Sequence, residues 1–126
     1  MNETIQSFIR GINAHDVSGL AGLMSEDHVF IDAHGNEVRG KEQMTAGWRG
    51  YFEWFPDYYI EVNDILENGD AVAMFGFAGG SFKGKPEARW RLPAAWKAIV
   101  KDGRVLVWQV YADTKIPFEI IEQNSQ

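Results

Sequence analysis

Apolar side chains along the first sixty residues repeat with a helical period. Ile5, Phe8, Ile9 and Ile12 fall at i, i+3, i+4 and i+7, one stripe of an amphipathic helix over about residues 3–14, with Asn2 or Thr4 placed to cap it. Asp16 then stands at an N-cap position ahead of Val17, Leu20, Leu23 and Met24, which predicts a second, short helix after the turn "NAHD". The period changes to two in "HVFID": His28, Phe30 and Asp32 share one face of a strand, Val29 and Ile31 the other. From Gly40 the helical spacing returns, with Met44, Trp48, Tyr51, Phe52 and Phe55 forming a broad aromatic stripe that Pro56 ends.

Everything after Pro56 reads as sheet. "YYIEVNDIL" alternates, "ENGD" is a turn signal, and "AVAMFGF" is an apolar run suited to a strand. "PEARWRLPAAWKAIV" and "RVLVWQVYAD" are separated by "KDG", a second hairpin turn, and Pro93 marks a bulge or an edge because proline cannot donate to a ladder. With no internal repeat, low-complexity segment or linker, residues 1–126 read as one domain. The predicted class is α+β: three N-terminal helices packed on a curved, mostly antiparallel sheet. Both faces of the last strand are apolar, Leu106, Trp108 and Val110 on one side and Val107 and Tyr111 on the other. Helices of so small a chain cover one face, so a homodimer through the sheet is the expected cover for the second.

Composition narrows the partners. The chain has 18 acidic against 12 basic residues, a net charge of −6, and no basic cluster beyond the scattered Lys83, Lys85, Arg89 and Arg91. Nucleic acid is excluded as a partner on that ground, since its binding rests on phosphate neutralisation. The absence of cysteine rules out disulfides, thiolate catalysis and cysteine zinc sites. No membrane span or signal segment is visible, so a cytoplasmic location is expected. His15, His28 and His34 lack the spacing that presents metal ligands together, and no metal or cofactor is called for.

One carboxylate stands out. Asp32 ends an apolar strand and shares its face with Phe30, yet it also opens the turn Asp32-Ala33-His34-Gly35-Asn36. It is either a base facing an apolar interior, with a raised pKa, or a turn residue bonded to its own backbone, with a lowered one. His34 reads as an exposed turn residue.

The stretch "INAHDVSGLAGLMSEDHVFIDAHGNEVRGKEQM", with its N-A-x-D turn, strand ending in Asp and R-G-K-E helix start, resembles the nuclear transport factor 2-like superfamily. The likeness is greatest to the ketosteroid isomerases and SnoaL-like polyketide cyclases. "DGRVLVWQVYAD" resembles the last strand of SnoaL-like members. The resemblance implies a cystatin-like cone, open at one end, around an apolar pocket. It matches Asp32 to the general base of the isomerases and Asp113 to an acidic residue of the cyclases. Phe8 occupies the matched position of the isomerases' oxyanion tyrosine, and alanine in Pro93-Ala94-Ala95 replaces their second aspartate, so an enolate would find neither donor. The Asp-Arg-Asp set of the epoxide-hydrolase relatives is absent around Arg89 and Arg91. Helix stripe, strand alternation and the family's pocket positions together put Phe8, Trp48, Tyr51, Phe75, Trp96 and Trp108 around the cavity.

Two functions follow. One is a cofactor-free enzyme in which Asp32 moves a proton next to a carbonyl of a hydrophobic small molecule, as an isomerase, cyclase or dehydratase would. The other is a non-catalytic module that binds such a molecule or dimerises.

Overall fold

The computed structural model describes residues 2–124. Helices α1 (Glu3–Ala14), α2 (Val17–Leu23) and α3 (Lys41–Trp54) form where the apolar stripes place them. Asn2 Oδ1 accepts from Ile5 N at 3.0 Å, and Asp16 Oδ1 accepts from Gly19 N at 3.0 Å. Each cap satisfies a donor that the first helical turn leaves without a partner. Ile5, Phe8 and Ile12 of α1 and Met44, Trp48 and Phe52 of α3 are the buried stripes.

The sheet comprises β1 (Met24–Ile31), β2 (Glu37–Arg39), β3 (Tyr59–Asn68), β4 (Ala71–Ser81), β5 (Arg89–Lys101) and β6 (Arg104–Ala112). Its order is β2-β1-β6-β5-β4-β3, and only the β1–β6 pair is parallel. The architecture is the expected α+β one, with differences at its boundaries. Strand β1 starts at Met24, directly after α2, and β5 starts at Arg89 because Phe82–Gly84 and Pro86–Ala88 form two 3-10 turns. A fourth helix, α4 (Lys115–Asn124), follows the last strand, where the sequence reading placed no element. Asp113 Oδ1 accepts from Lys115 N at 3.1 Å at its start. Pro117 lies in its first turn, where a missing N–H costs nothing.

The pairing register shifts at three places, one between Met24 and Val29 of β1 beside β6 and two in the antiparallel ladders. Between Val62 and Asp64 of β3 the register with β4 shifts, and opposite the bulge a Cβ on Gly76 would collide with the Glu61 carbonyl oxygen. Only glycine lets the strands approach there. The second shift sets Val105 and Val107 of β6 against adjacent residues of β5, leaving Leu106 as the extra residue. Val105 and Trp108, three apart, are therefore both in the core, and the strict alternation predicted for β6 breaks. The β5–β6 hairpin turns on Asp102 (φ 54°) and Gly103 (φ 72°), both in the left-handed region that a two-residue hairpin needs. Pro93 pairs with Phe77 of β4 on one side, whereas β6 pairing begins only at Ala94, so Pro93 sits at a local edge.

The turn "NAHD" ties α1 to the far side of the sheet. Asn13 Nδ2 donates to Ile60 O at 3.0 Å and its Oδ1 accepts from Ile60 N at 2.8 Å, while His15 Nε2 donates to Tyr58 O at 2.7 Å. From the other side, Asp57 accepts from Ser81 N and Ser81 Oγ, both at 2.7 Å. Residues 57–60 are thereby held between helix and sheet. Among the described residues, no helix is long and apolar enough to cross a membrane.

Candidate functional site

Between the helices and the sheet lies a cavity of about 320 Å³. Phe30 and Asp32 reach it from the end of β1, as their shared strand face requires. Helix α3 contributes Met44, Trp48 and Tyr51, and the segment after it contributes Phe55 and Tyr58. The sheet supplies Trp90, Leu92 and Ala94 from β5, and Trp108, Val110 and Ala112 from β6. Helix α4 closes the remaining side with Pro117, Phe118 and Ile121.

Four of these rings contact one another in a closed circuit. Tyr51 and Phe55 have centroids 4.9 Å apart, Phe55 and Trp90 5.7 Å, Trp90 and Tyr58 6.1 Å, and Tyr58 and Tyr51 4.9 Å. The bonds of Asn13 to Ile60, of His15 to Tyr58 and of Asp57 to Ser81 fix the Tyr58 side of that circuit. Burial pushes the Tyr51 hydroxyl far above its ordinary range, and burial and then the neighbouring Tyr51 push Tyr58 the same way. Both phenols therefore stay protonated at any physiological pH.

Asp32 is held as a turn acceptor. Its Oδ1 accepts from His34 N and Asn36 N, each at 2.9 Å, and its Oδ2 accepts from Asn36 Nδ2 at 3.2 Å. Partial burial raises the Asp32 carboxyl, but the bonds from Asn36 and His34 outweigh it, and the net shift is downward. The raised value expected of a base in an apolar pocket is thus reversed: the carboxyl lines the cavity, but its charge is solvated by the turn. His34, beside it, meets α4, with Nε2 2.7 Å from Thr114 Oγ1 and its ring edge-on to Phe118 at 5.0 Å.

Of the residues expected around the cavity, Trp48, Tyr51 and Trp108 line it together with Asp32. Phe8, Phe75, Trp96 and Asp113 lie elsewhere among the described residues. Phe8 is fully buried behind the cavity wall, packed on Trp108 at a centroid distance of 4.8 Å. Trp96 lies deeper in the same core, 6.5 Å from Trp108. Phe75 is on the outer face of the sheet and 44 % exposed, because Val72, Met74 and Ala78 of β4 take the inward positions. Asp113 is an exposed cap on α4 rather than a cavity residue. The sequence reading missed Tyr58, Trp90 and Phe118. Trp90 had a signal, since Arg89-Trp90-Arg91-Leu92 alternates charged and apolar and sends Trp90 and Leu92 inward.

The cavity offers rings and almost no charge. Among the described residues lining it, Asp32 is the one carboxylate, with no lysine or arginine beside it. Nor is any group of three or more His, Asp or Glu side chains placed to hold a metal ion among the described residues.

Residues 5–108 match the SnoaL-like domain family, and the chain belongs to that family. No curated protein matches the chain. Among solved structures, a protein of ketosteroid isomerase-like fold from Catenulispora acidiphila, in complex with trimethylamine, superposes with a TM-score of 0.79 at 20 % identity. That match covers 88 % of this chain and 85 % of that one. IdmH of Streptomyces antibioticus, a proposed polyketide cyclase, gives a TM-score of 0.77 at 23 % identity, over 95 % of this chain and 96 % of that one. An epoxide hydrolase of M. tuberculosis gives 0.80 at 17 % identity, over 94 % and 82 %. At these identities the likeness is one of fold, the cone that the resemblance implied.

Proposed function

We propose that this SnoaL-like chain binds a hydrophobic, ring-bearing small molecule in its cavity. The observation that carries the reading is a cavity of about 320 Å³ walled by aromatic side chains, the size and lining of a small-molecule site. Asp32 acts there as a fixed negative charge. A carboxyl held below its ordinary value is a weak proton acceptor near neutral pH, so binding accounts for the geometry better than general-base catalysis does. Proton transfer by Asp32 is the second reading, favoured by its position on the cavity wall.

The test is titration with N-phenyl-1-naphthylamine, a neutral aromatic dye whose emission rises in apolar surroundings. Wild type and Asp32→Asn bind it alike, and Ala112→Phe, which puts a ring into the cavity, abolishes binding without lowering Tm. Binding undiminished in Ala112→Phe places the dye outside the cavity and sinks the reading. The second reading gains if Asp32→Asn abolishes turnover of a carbonyl substrate that the wild type converts.

We further infer that two copies pair through the outer face of the sheet. Its support is the row Phe75, Ala95 and Tyr111 across β4, β5 and β6, with Phe75 44 % and Tyr111 50 % exposed. A stable pair buries roughly 1,000 Å² or more in total. Light scattering at micromolar concentration then reads twice 14.3 kDa, and a monomer mass rejects the inference.

A further inference from the structure

The cavity's walls also bear on the charge of its occupant. We propose that the ligand is a hydrophobic organic cation, an amine or quaternary ammonium, seated against Tyr51, Phe55, Tyr58 and Trp90 with the Asp32 carboxylate on the same cavity supplying the opposite charge. The inference rests on reading the cavity as a binding site and adds the ligand's chemical class.

Ring faces are the negative part of an aromatic side chain, and a cation within about 6 Å of a ring centroid is attracted to it, most strongly where water is excluded. The closed circuit of four rings, with neighbouring centroids 4.9 to 6.1 Å apart, gathers several such rings on one cavity. Two of the chain's own cations engage rings outside this circuit: the Arg91 guanidinium lies 4.1 Å from the Phe77 centroid and Lys83 Nζ 6.0 Å from that of Phe82.

The fixed charges agree with the rings. Three hydrogen bonds from its own turn hold the Asp32 carboxylate in place, so it needs no rearrangement to face a positive ligand. An anionic ligand would enter a cavity where, among the described lining residues, no lysine or arginine answers its charge, and burying an unpaired charge is costly. The net charge of −6 adds a long-range field of the same preference. A neutral ligand remains compatible with the apolar walls, and that alternative decides the experiment.

The probes are benzyltrimethylammonium and neopentylbenzene, which share a shape and differ by one positive charge. Each is titrated into the full chain at low salt while tryptophan fluorescence is followed. The expected result is that the cation binds about tenfold more tightly than its neutral twin, between the scales of an exposed and a desolvated cation–π contact. Asp32→Asn weakens the cation severalfold and leaves neopentylbenzene unchanged. Tyr51→Leu, which keeps apolar bulk and removes a ring, likewise narrows the gap. The neutral probe and a melting curve verify that each variant keeps its cavity. If the neutral twin binds as tightly as the cation or more so in the wild type, the inference is overturned while the cavity reading survives. If neither probe binds the wild type, both fall.

Discussion

Two aromatic clusters share this small chain and behave differently. At the closed end, Phe8 packs on Trp108 at 4.8 Å, edge-on to Trp48 at 6.4 Å, and beside the buried ring of His28 at 6.4 Å. Along the cavity wall, Tyr51, Phe55, Tyr58 and Trp90 form the circuit described above. Trp48 and Trp108 pack on Phe8 and also line the cavity. The residue types are nearly the same, so aromatic content alone does not separate core from site. What separates them is whether the neighbouring layer fills the space in front of the ring. Helix α1 seals the first cluster, whereas the second faces a cavity whose other walls include Ala94, the turn of Asp32 and α4.

The sharpest way to break the comparison is at Phe8. Phe8→Ala in the sealed cluster is expected to cost about 3–5 kcal/mol, the loss of a buried ring plus the hole it leaves. Phe8→Tyr, which would restore the isomerases' oxyanion residue, costs about 1–3 kcal/mol because it adds a hydroxyl to a fully buried site. Urea denaturation measures both, and a Phe8→Tyr variant as stable as the wild type would mean that position 8 opens onto the cavity after all.

A smaller effect belongs to His28, in the sealed cluster. His28 is fully buried, its Nδ1 donating to Val105 O at 2.6 Å while Nε2 has no partner among the described residues. Burial lowers its pKa by more than the Val105 carbonyl and the Asp27 charge raise it. The folded state therefore binds the proton less readily than the unfolded chain. Stability is complete above the unfolded value of 6.5 and is lost as pH falls from there through the lower folded value, by up to about 1.4 kcal/mol per pH unit. Asp32 and Asp57, also lowered, add their own loss only below 3.8, so the two losses set in at different pH. Urea midpoints followed downward from neutral pH check this, and a flat profile until the carboxylate range would remove His28 from the account.

The smallest expected change in stability is at the mouth. Phe118 is 53 % exposed on α4, so Phe118→Ala shifts stability by about 0.5 kcal/mol or less while weakening dye binding severalfold. Unchanged dye affinity would show that α4 does not wall the occupied part of the cavity.

Much of this was legible in the chain. The stripes of Ile5, Phe8 and Ile12 and of Met44, Trp48 and Phe52 place two helices and their buried faces, and the two hairpin turns pair β3 with β4 and β5 with β6. These signals are local: period, cap and turn act over a few residues, so the sequence by itself determines them. The same period two puts His28, Phe30 and Asp32 on one face, and His28 is buried while the other two reach the cavity. Where both faces of a strand are apolar, periodicity has no preferred side, and Phe75 was placed inward when Val72 and Met74 hold that face. Depth along the cone is likewise invisible locally, so Trp96 and Trp108, both inward, divide into core and wall only when α1 and α3 are laid across them. The pKa direction of Asp32 and the closing of the cavity by α4 also waited for tertiary structure. The first is a balance between a fold-made burial and three turn bonds, and the second depends on His34 meeting Thr114 eighty residues away in the chain.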